Sequence, residues 1–152
     1  MAALSERLGE DLKNALKAGD SLRVSVIRFI RAAAQNRQIE LRRPLDDAEW
    51  MKVLSAQSKQ RQESIREFEA GGRADLAEKE RRELDIVREY LPPALSDEDL
   101  SRIVRQAIAE TGARSPKEMG AVMKVVMPRV VGQADGKAVQ KVVQSLLEGG
   151  AS

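Results

Sequence analysis

An all-α protein is what this sequence predicts, and three observations carry that reading. Apolar residues recur at steps of three and four almost from end to end, and no stretch alternates with period two for long enough to argue a strand. Aromatic residues make up only 3% of 152 residues, namely Phe29, Trp50, Phe68 and Tyr90, so the core must be built from Leu, Ile, Val, Ala and Met. Hydrophobic residues at 42% and charged residues at 33% fit a folded chain with a heavily solvated surface.

The elements follow in order. Leu4, Leu8, Leu12, Ala15 and Leu16 form one stripe, which closes at Gly19, and Leu22, Val26, Phe29, Ile30 and Ala33 form the next, ending before Pro44. Asp46 to Glu49 has the spacing of a capping box and opens a helix with Trp50, Val53, Leu54, Ile65 and Phe68. Gly71 and Gly72 interrupt the pattern. Asp75 to Glu78 repeats the box ahead of Leu76, Leu84, Val87 and Leu91. Residues 57–95 thus read as a helical hairpin with almost every surface position charged, ended at Pro92-Pro93, where proline forbids the helix from continuing. The chain divides there, into residues 1–92 and 93–152.

Three shorter helices are predicted beyond the prolines. Ser96 caps the first, which buries Leu100, Ile103, Val104, Ala107 and Ile108 and stops at Gly112. Ser115-Pro116-Lys117-Glu118 is a capping box with proline at the first helical position, which tolerates it best. Met119, Val122, Met123 and Val126 follow on one core-facing side. Asp135 caps the last helix, which turns Val139, Val142, Val143 and Leu146 inward and ends at Gly149 and Gly150.

Composition excludes much chemistry. The chain has neither cysteine nor histidine, so no thiolate zinc site, cysteine nucleophile or Ser-His triad is possible. Glu63, Glu67, Glu80 and Glu83 are carboxylates on the hairpin, but di-metal bundles add a Glu-x-x-His on two helices, so no metal is expected. Gly132 to Lys137, GQADGK, has three residues between its glycines, Ala138 after its lysine and no preceding strand, which rules out a P-loop. No cofactor and no catalytic residue is expected. The first twenty residues carry Glu6, Glu10 and Asp11 and no long apolar run, so neither a signal nor a transit peptide fits. The reading is a cytoplasmic protein with no membrane association.

Two basic patterns remain. Arg28, Arg31, Gln35, Gln38 and Arg42 recur at steps of three and four, a face suited to phosphate oxygens or an acidic partner, or an ordinary polar helix face. Net charge is only +2, yet residues 112–147 hold six basic residues (Arg114, Lys117, Lys124, Arg129, Lys137, Lys141) against Glu118 and Asp135, a local +4. Such a face suits an RNA backbone. Asp135 competes for the free N–H groups at the helix start that would otherwise favour an anion.

The same segments resemble the YqeY family, free-standing relatives of the tail domain of the B subunit of aspartyl/glutamyl-tRNA amidotransferase. Three blocks carry the resemblance. The first is Lys59-Gln60-Arg61 with Glu63-Ser64-Ile65 and Phe68; the second is Arg73 with Asp75-Leu76 and Glu80, closed by Tyr90-Leu91-Pro92. The third is Met119-Gly120 with Val122-Met123-Lys124, then Gly132 with Ala134-Asp135-Gly136-Lys137. Two departures stand out: Gln133 occupies a place where a basic residue is common, and Gly71-Gly72 implies a looser hairpin turn.

The resemblance implies two helical subdomains, the second a compact three-helix unit. It also implies that tRNA or another structured RNA is the partner, since the amidotransferase tail helps recognise tRNA while the chemistry is done elsewhere. A carbon–nitrogen ligase label using glutamine as amide donor is inherited from that enzyme. Lys124, Arg129, Lys137 and Lys141 are the candidate RNA contacts, with Arg28, Arg31 and Arg42 as the rival site. Two other classes are a component of a glutamine-dependent amidotransferase, and an interaction module docking a partner helix in a groove around Trp50 and Phe68.

Overall fold

The computed structural model describes residues 2–149, so the expected stop at Gly150 lies outside them. The protein is all-α. In order, α1 (Ala2–Ala18), α2 (Ser21–Leu41), α3 (Asp47–Ala70) and α4 (Ala74–Arg88) build one compact unit, residues 1–92. The other, residues 93–152, holds α5 (Asp97–Thr111), a 3-10 turn (Pro116–Glu118), α6 (Met119–Val130) and α7 (Gly136–Gly149).

Each turn of the first unit is set by a residue that leaves the right-handed region. At Gly19, φ is 69°, and the N–H of Asp20 reaches back to the Ala15 carbonyl at 3.0 Å. Asp20 then caps α2, its Oδ1 accepting from the Arg23 N–H at 3.1 Å, so two residues reverse the chain. The α3–α4 turn uses the same device. Gly72 sits at φ 72°, its N–H bonds to the Glu69 carbonyl at 3.2 Å, and the Arg73 N–H bonds to Phe68 at 2.8 Å. That pair of bonds closes the hairpin tightly, against the looser turn expected of adjacent glycines.

The hairpin turn also corrects the second capping box. Because the Arg73 N–H is already engaged, α4 starts two residues earlier than Asp75 predicts, with Arg73 at the cap. Asp75 falls inside the first turn, where the Arg73 guanidinium grips it through two bonds of 3.2 Å. The first box forms from one side: Asp46 Oδ1 accepts from the Glu49 N–H at 2.8 Å. The Glu49 carboxylate turns instead to Arg37 Nε at 3.1 Å and Lys52 at 3.6 Å. The hydrogen bond from Arg37 holds Glu49 below the usual carboxylate range, although burial pushes the other way.

The first core gathers Leu8, Val26, Ile27, Ile30, Leu54 and Val87, all fully buried, with Trp50 and Tyr90 against them. Each such aliphatic side chain contributes roughly 1.5–3 kcal/mol by leaving water. Two residues assigned to this core lie outside it: Leu16 is 52% exposed and Phe29 57%. Periodicity places both on an apolar face, but no element of this unit covers that end of the face. Tyr90 is 5% exposed, and its hydroxyl donates to Asp11 while the Arg7 guanidinium lies 4.5 Å from the ring centre.

Valine dominates the second core: Val104, Val122, Val126, Val130, Val139 and Val143 are all fully buried. Met119, Met123 and Met127 pack at its edge. Ser96 caps α5 through the Asp99 N–H at 3.1 Å, and Gly112 at φ 70° ends it. Glu118 accepts from the N–H groups of Ser115, at 3.2 Å, and Arg114, holding the 3-10 turn that leads into α6. Pro128 lies inside α6, where it cannot donate to the Lys124 carbonyl. Gln133 donates to the Pro93 carbonyl at 3.3 Å and accepts from the Leu95 N–H at 3.1 Å. The residue that departs from the family pattern therefore ties the connector to the α6–α7 turn.

Candidate functional site

The motif residues of the hairpin converge on Arg61. Its guanidinium, on α3, donates to Glu80 at 3.3 Å and to Glu83, both on α4, and lies 5.8 Å from the centre of the Phe29 ring on α2. The side chains of Arg61, Glu80 and Glu83 are 11%, 21% and 10% exposed. These acids thus serve as the counter-charge of an arginine that links three helices. Of the remaining hairpin motif residues, Glu63 is exposed and Ser64 half-buried, while Tyr90 and Pro92 end the unit.

In the second unit the motif residues build the turn between α6 and α7. Gly132 adopts φ 83°, which only glycine takes without strain, and Asp135 Oδ1 accepts from the Ala138 N–H at 2.8 Å. Gly136 opens α7, Met123 packs on the valine core, and Gly120 is exposed. The four candidate RNA contacts do not form one cluster. Lys137 and Lys141 stand roughly 40° apart on the exposed side of α7, one turn from each other. Lys124 is exposed on α6, but Arg129 lies roughly 140° around that helix from it. Arg129 Nη2 donates to Glu110 at 2.7 Å, and this bond holds the Glu110 carboxyl below its ordinary range. Among the described residues, Lys124, Lys137 and Lys141 have no acidic partner.

The rival stripe is partly assembled. Arg28, Arg31, Gln35 and Gln38 line a groove of about 570 Å³ between α1 and α2, which Ser5 and Leu12 border from the other side. Arg42 has left the face: it stands at φ 55° just past the end of α2, where its N–H bonds to Ile39 at 3.3 Å. Adjoining the polar groove, and sharing Arg28 and Ala32 with it, is an apolar hollow of about 600 Å³ formed by Ala15, Leu16, Val24 and Phe29. Sequence reasoning missed this hollow. The signal available was Ser21, Ser25, Arg28 and Ala32 recurring at steps of three and four beside Phe29 on one helix.

The expected groove around Trp50 and Phe68 does not exist as one site. Trp50 lines the floor of the polar groove but is only 3% exposed and belongs to the first core, and eighteen residues of α3, about 27 Å, separate it from Phe68. Among the described residues there is no group of His, Cys, Asp or Glu placed to hold a metal ion, and no helix long and apolar enough to cross a membrane.

A family profile described as Yqey-like protein matches residues 5–147. The chain belongs to the YqeY family. Among curated proteins, it is similar to "Altered inheritance of mitochondria protein 41, mitochondrial" of Pyrenophora tritici-repentis, at 32% identity over 93% of this chain and 79% of that one. The protein of the same name from Saccharomyces cerevisiae (strain YJM789) is 30% identical, over 84% of this chain and 68% of its own. The one from Lachancea thermotolerans is 32% identical, over 72% and 60%.

These relatives correct the cytoplasmic expectation, since they are by name mitochondrial proteins. That expectation rested on the charges of one short segment, whereas the fold itself, a small helical YqeY-like body, carries no mark of compartment.

Proposed function

We propose that this YqeY-family protein is a non-catalytic accessory protein that binds tRNA or another structured RNA through its second unit. The observation carrying the reading is the pair Lys137 and Lys141, exposed on one side of α7 and in no ion pair among the described residues. Two ammonium groups one turn apart follow a phosphate backbone, and their attraction comes from released counterions. Lys124 adds a third charge on α6. Arg129 contributes less, because Glu110 already holds it. The RNA class comes from the likeness of the family to the amidotransferase tail.

Changing Lys137 and Lys141 together to Glu tests the reading. Both lie away from the valine core, so the fold is retained. Binding to tRNA is expected to weaken, and the slope of log affinity against log salt to flatten by about two units. Equal tRNA binding by wild type and variant across the salt titration would overturn the site. If the Arg28→Glu, Arg31→Glu protein loses tRNA instead, the RNA contact belongs to the first unit.

A further inference from the structure

We infer that the groove between α1 and α2 is a docking site for an acidic amphipathic helix of a partner protein. This goes beyond the RNA reading and rests on different residues.

The groove is two-toned. At the end near Gly19 its hollow is aliphatic, with Leu16 and Phe29 at 52% and 57% exposure. Further along α2 it becomes cationic at Arg28 and Arg31, then amide-lined at Gln35 and Gln38. From Ser21 to Gln38 the α2 wall runs eighteen residues, about 26 Å from first to last, the length of a helix of four to five turns. Small residues, among them Gly19, Ser21, Ser25 and Ala32, line its wall and let a second backbone approach closely.

Charge selects the occupant. Two other arginines of α2 have acids of their own: Arg23 meets Glu89 at 2.9 Å, and Arg37 meets Glu49 at 3.1 Å. Arg28 and Arg31, between them, have no ion pair among the described residues, and neither Asp nor Glu lines either part of the groove. In a chain with 24 acidic residues, that stretch is set apart as a receptor for carboxylates. A helix with apolar residues at i, i+4 and i+7 fills the hollow, and acids one or two turns along reach the guanidiniums. A nucleobase suits the hollow poorly. Its polar edges would face aliphatic carbon, and Phe29 is the one aromatic ring in the hollow, with Arg61 already near it. Trp50, which lines the cationic part, is only 3% exposed and offers no free face for stacking.

The test titrates the isotope-labelled full chain with a synthetic 18-residue helix that has a leucine stripe and three flanking glutamates. Its control carries lysine for each glutamate. Amide shifts are expected at Leu16, Ser25, Phe29 and Gln35 with the acidic peptide. The Arg28→Glu, Arg31→Glu protein should bind it about ten-fold more weakly and come to prefer the lysine peptide. Leu16→Ser should weaken both. All three positions are exposed, and Arg28→Gln, Arg31→Gln supplies a milder variant with the same expected direction. Equal binding of the two peptides to wild type, or indifference to the reversed arginines, would overturn the inference. So would shifts at these amides produced by a 15-nucleotide oligouridine and not by the peptide, which would make the groove a nucleic-acid site. Sedimentation of wild type as a dimer that Leu16→Ser dissociates would assign the groove to a second copy of this chain, and overturn it equally.

Discussion

Replacing Arg61 by Ala removes one guanidinium from two carboxylates on another helix and from the ring of Phe29. Glu83 decides the magnitude. Its side chain is 10% exposed, so it cannot regain full hydration, and Lys79, at 3.9 Å and 64% exposed, offsets only part of the loss. Breaking a buried pair from one side costs about 3–5 kcal/mol in general; Lys79 and the 21% exposure of Glu80 lower this to about 2–3 kcal/mol here. For a unit of this size each kcal/mol moves Tm by roughly 4–8 °C, so the midpoint should fall by about 10–20 °C. Trp50, the one tryptophan and 3% exposed in the same core, reports the transition by fluorescence. The companion protein, Arg61→Met with Glu83→Leu, should lie within about 1 kcal/mol of wild type, because an apolar pair replaces buried charge without leaving either partner alone. A loss below about 0.5 kcal/mol in Arg61→Ala, or a double replacement as harmful as the sum of the two singles, would refute the account of Arg61 as a charge-compensated link.

Three further outcomes are expected. Tyr90 is the only tyrosine, and burial first, then its bond to Asp11, pushes its phenol above the ordinary value near 10, so tyrosinate absorbance should appear only at higher pH and together with unfolding. Stability linked to that phenol is complete below pH 10 and fades as pH rises through the native value; a normal titration with the fold intact would contradict the burial. Arg42→Gly should stabilise the first unit by about 0.5–1 kcal/mol, read by thermal melting, since a left-handed position favours glycine, and an unchanged Tm would show the strain is relieved elsewhere. Glu49, held low by Arg37, should lend stability that is complete above the ordinary carboxylate range and lost as pH falls through its lowered value. The Tm gap between wild type and Glu49→Gln should therefore narrow as pH falls below the ordinary carboxylate range, and a gap that persists in strong acid would exclude the pair as its source.

Helix number, order and most boundaries were legible because periodicity and capping are local. Asp20, Gly19, Ser96 and Gly112 act through neighbours within five residues. Where a second element intervenes, the pattern misleads. Asp75 has the spacing of a cap, but the Gly72 turn had fixed the helix start before it. Leu16 and Phe29 sit on apolar faces, and periodicity cannot tell whether anything covers a face. The Arg61 contacts could have been read: in a hairpin folded at Gly71-Gly72, Arg61 lies ten residues before Gly71 and Glu83 eleven after Gly72, opposite each other. Of the candidate site, the sequence supplied the basic residues but not their acids, so the difference between the engaged Arg129 and the bare Lys137 waited for three dimensions.

The valine core of the second unit bears on when the chain can fold during synthesis. Valine is a poor helix former, because its branched side chain loses rotamer freedom against the preceding turn, and α6 also contains Gly120 and Pro128. Neither α6 nor α7 has the local preference to persist alone. Each becomes helical when its valines meet those of the other helices, and stiff side chains then lose little further freedom on burial. Val139 and Val143 of α7 form one wall of that core. Until the ribosome has released them, α5 and α6 can cover only part of each other's apolar stripes, so the unit is expected to complete its core only when α7 joins.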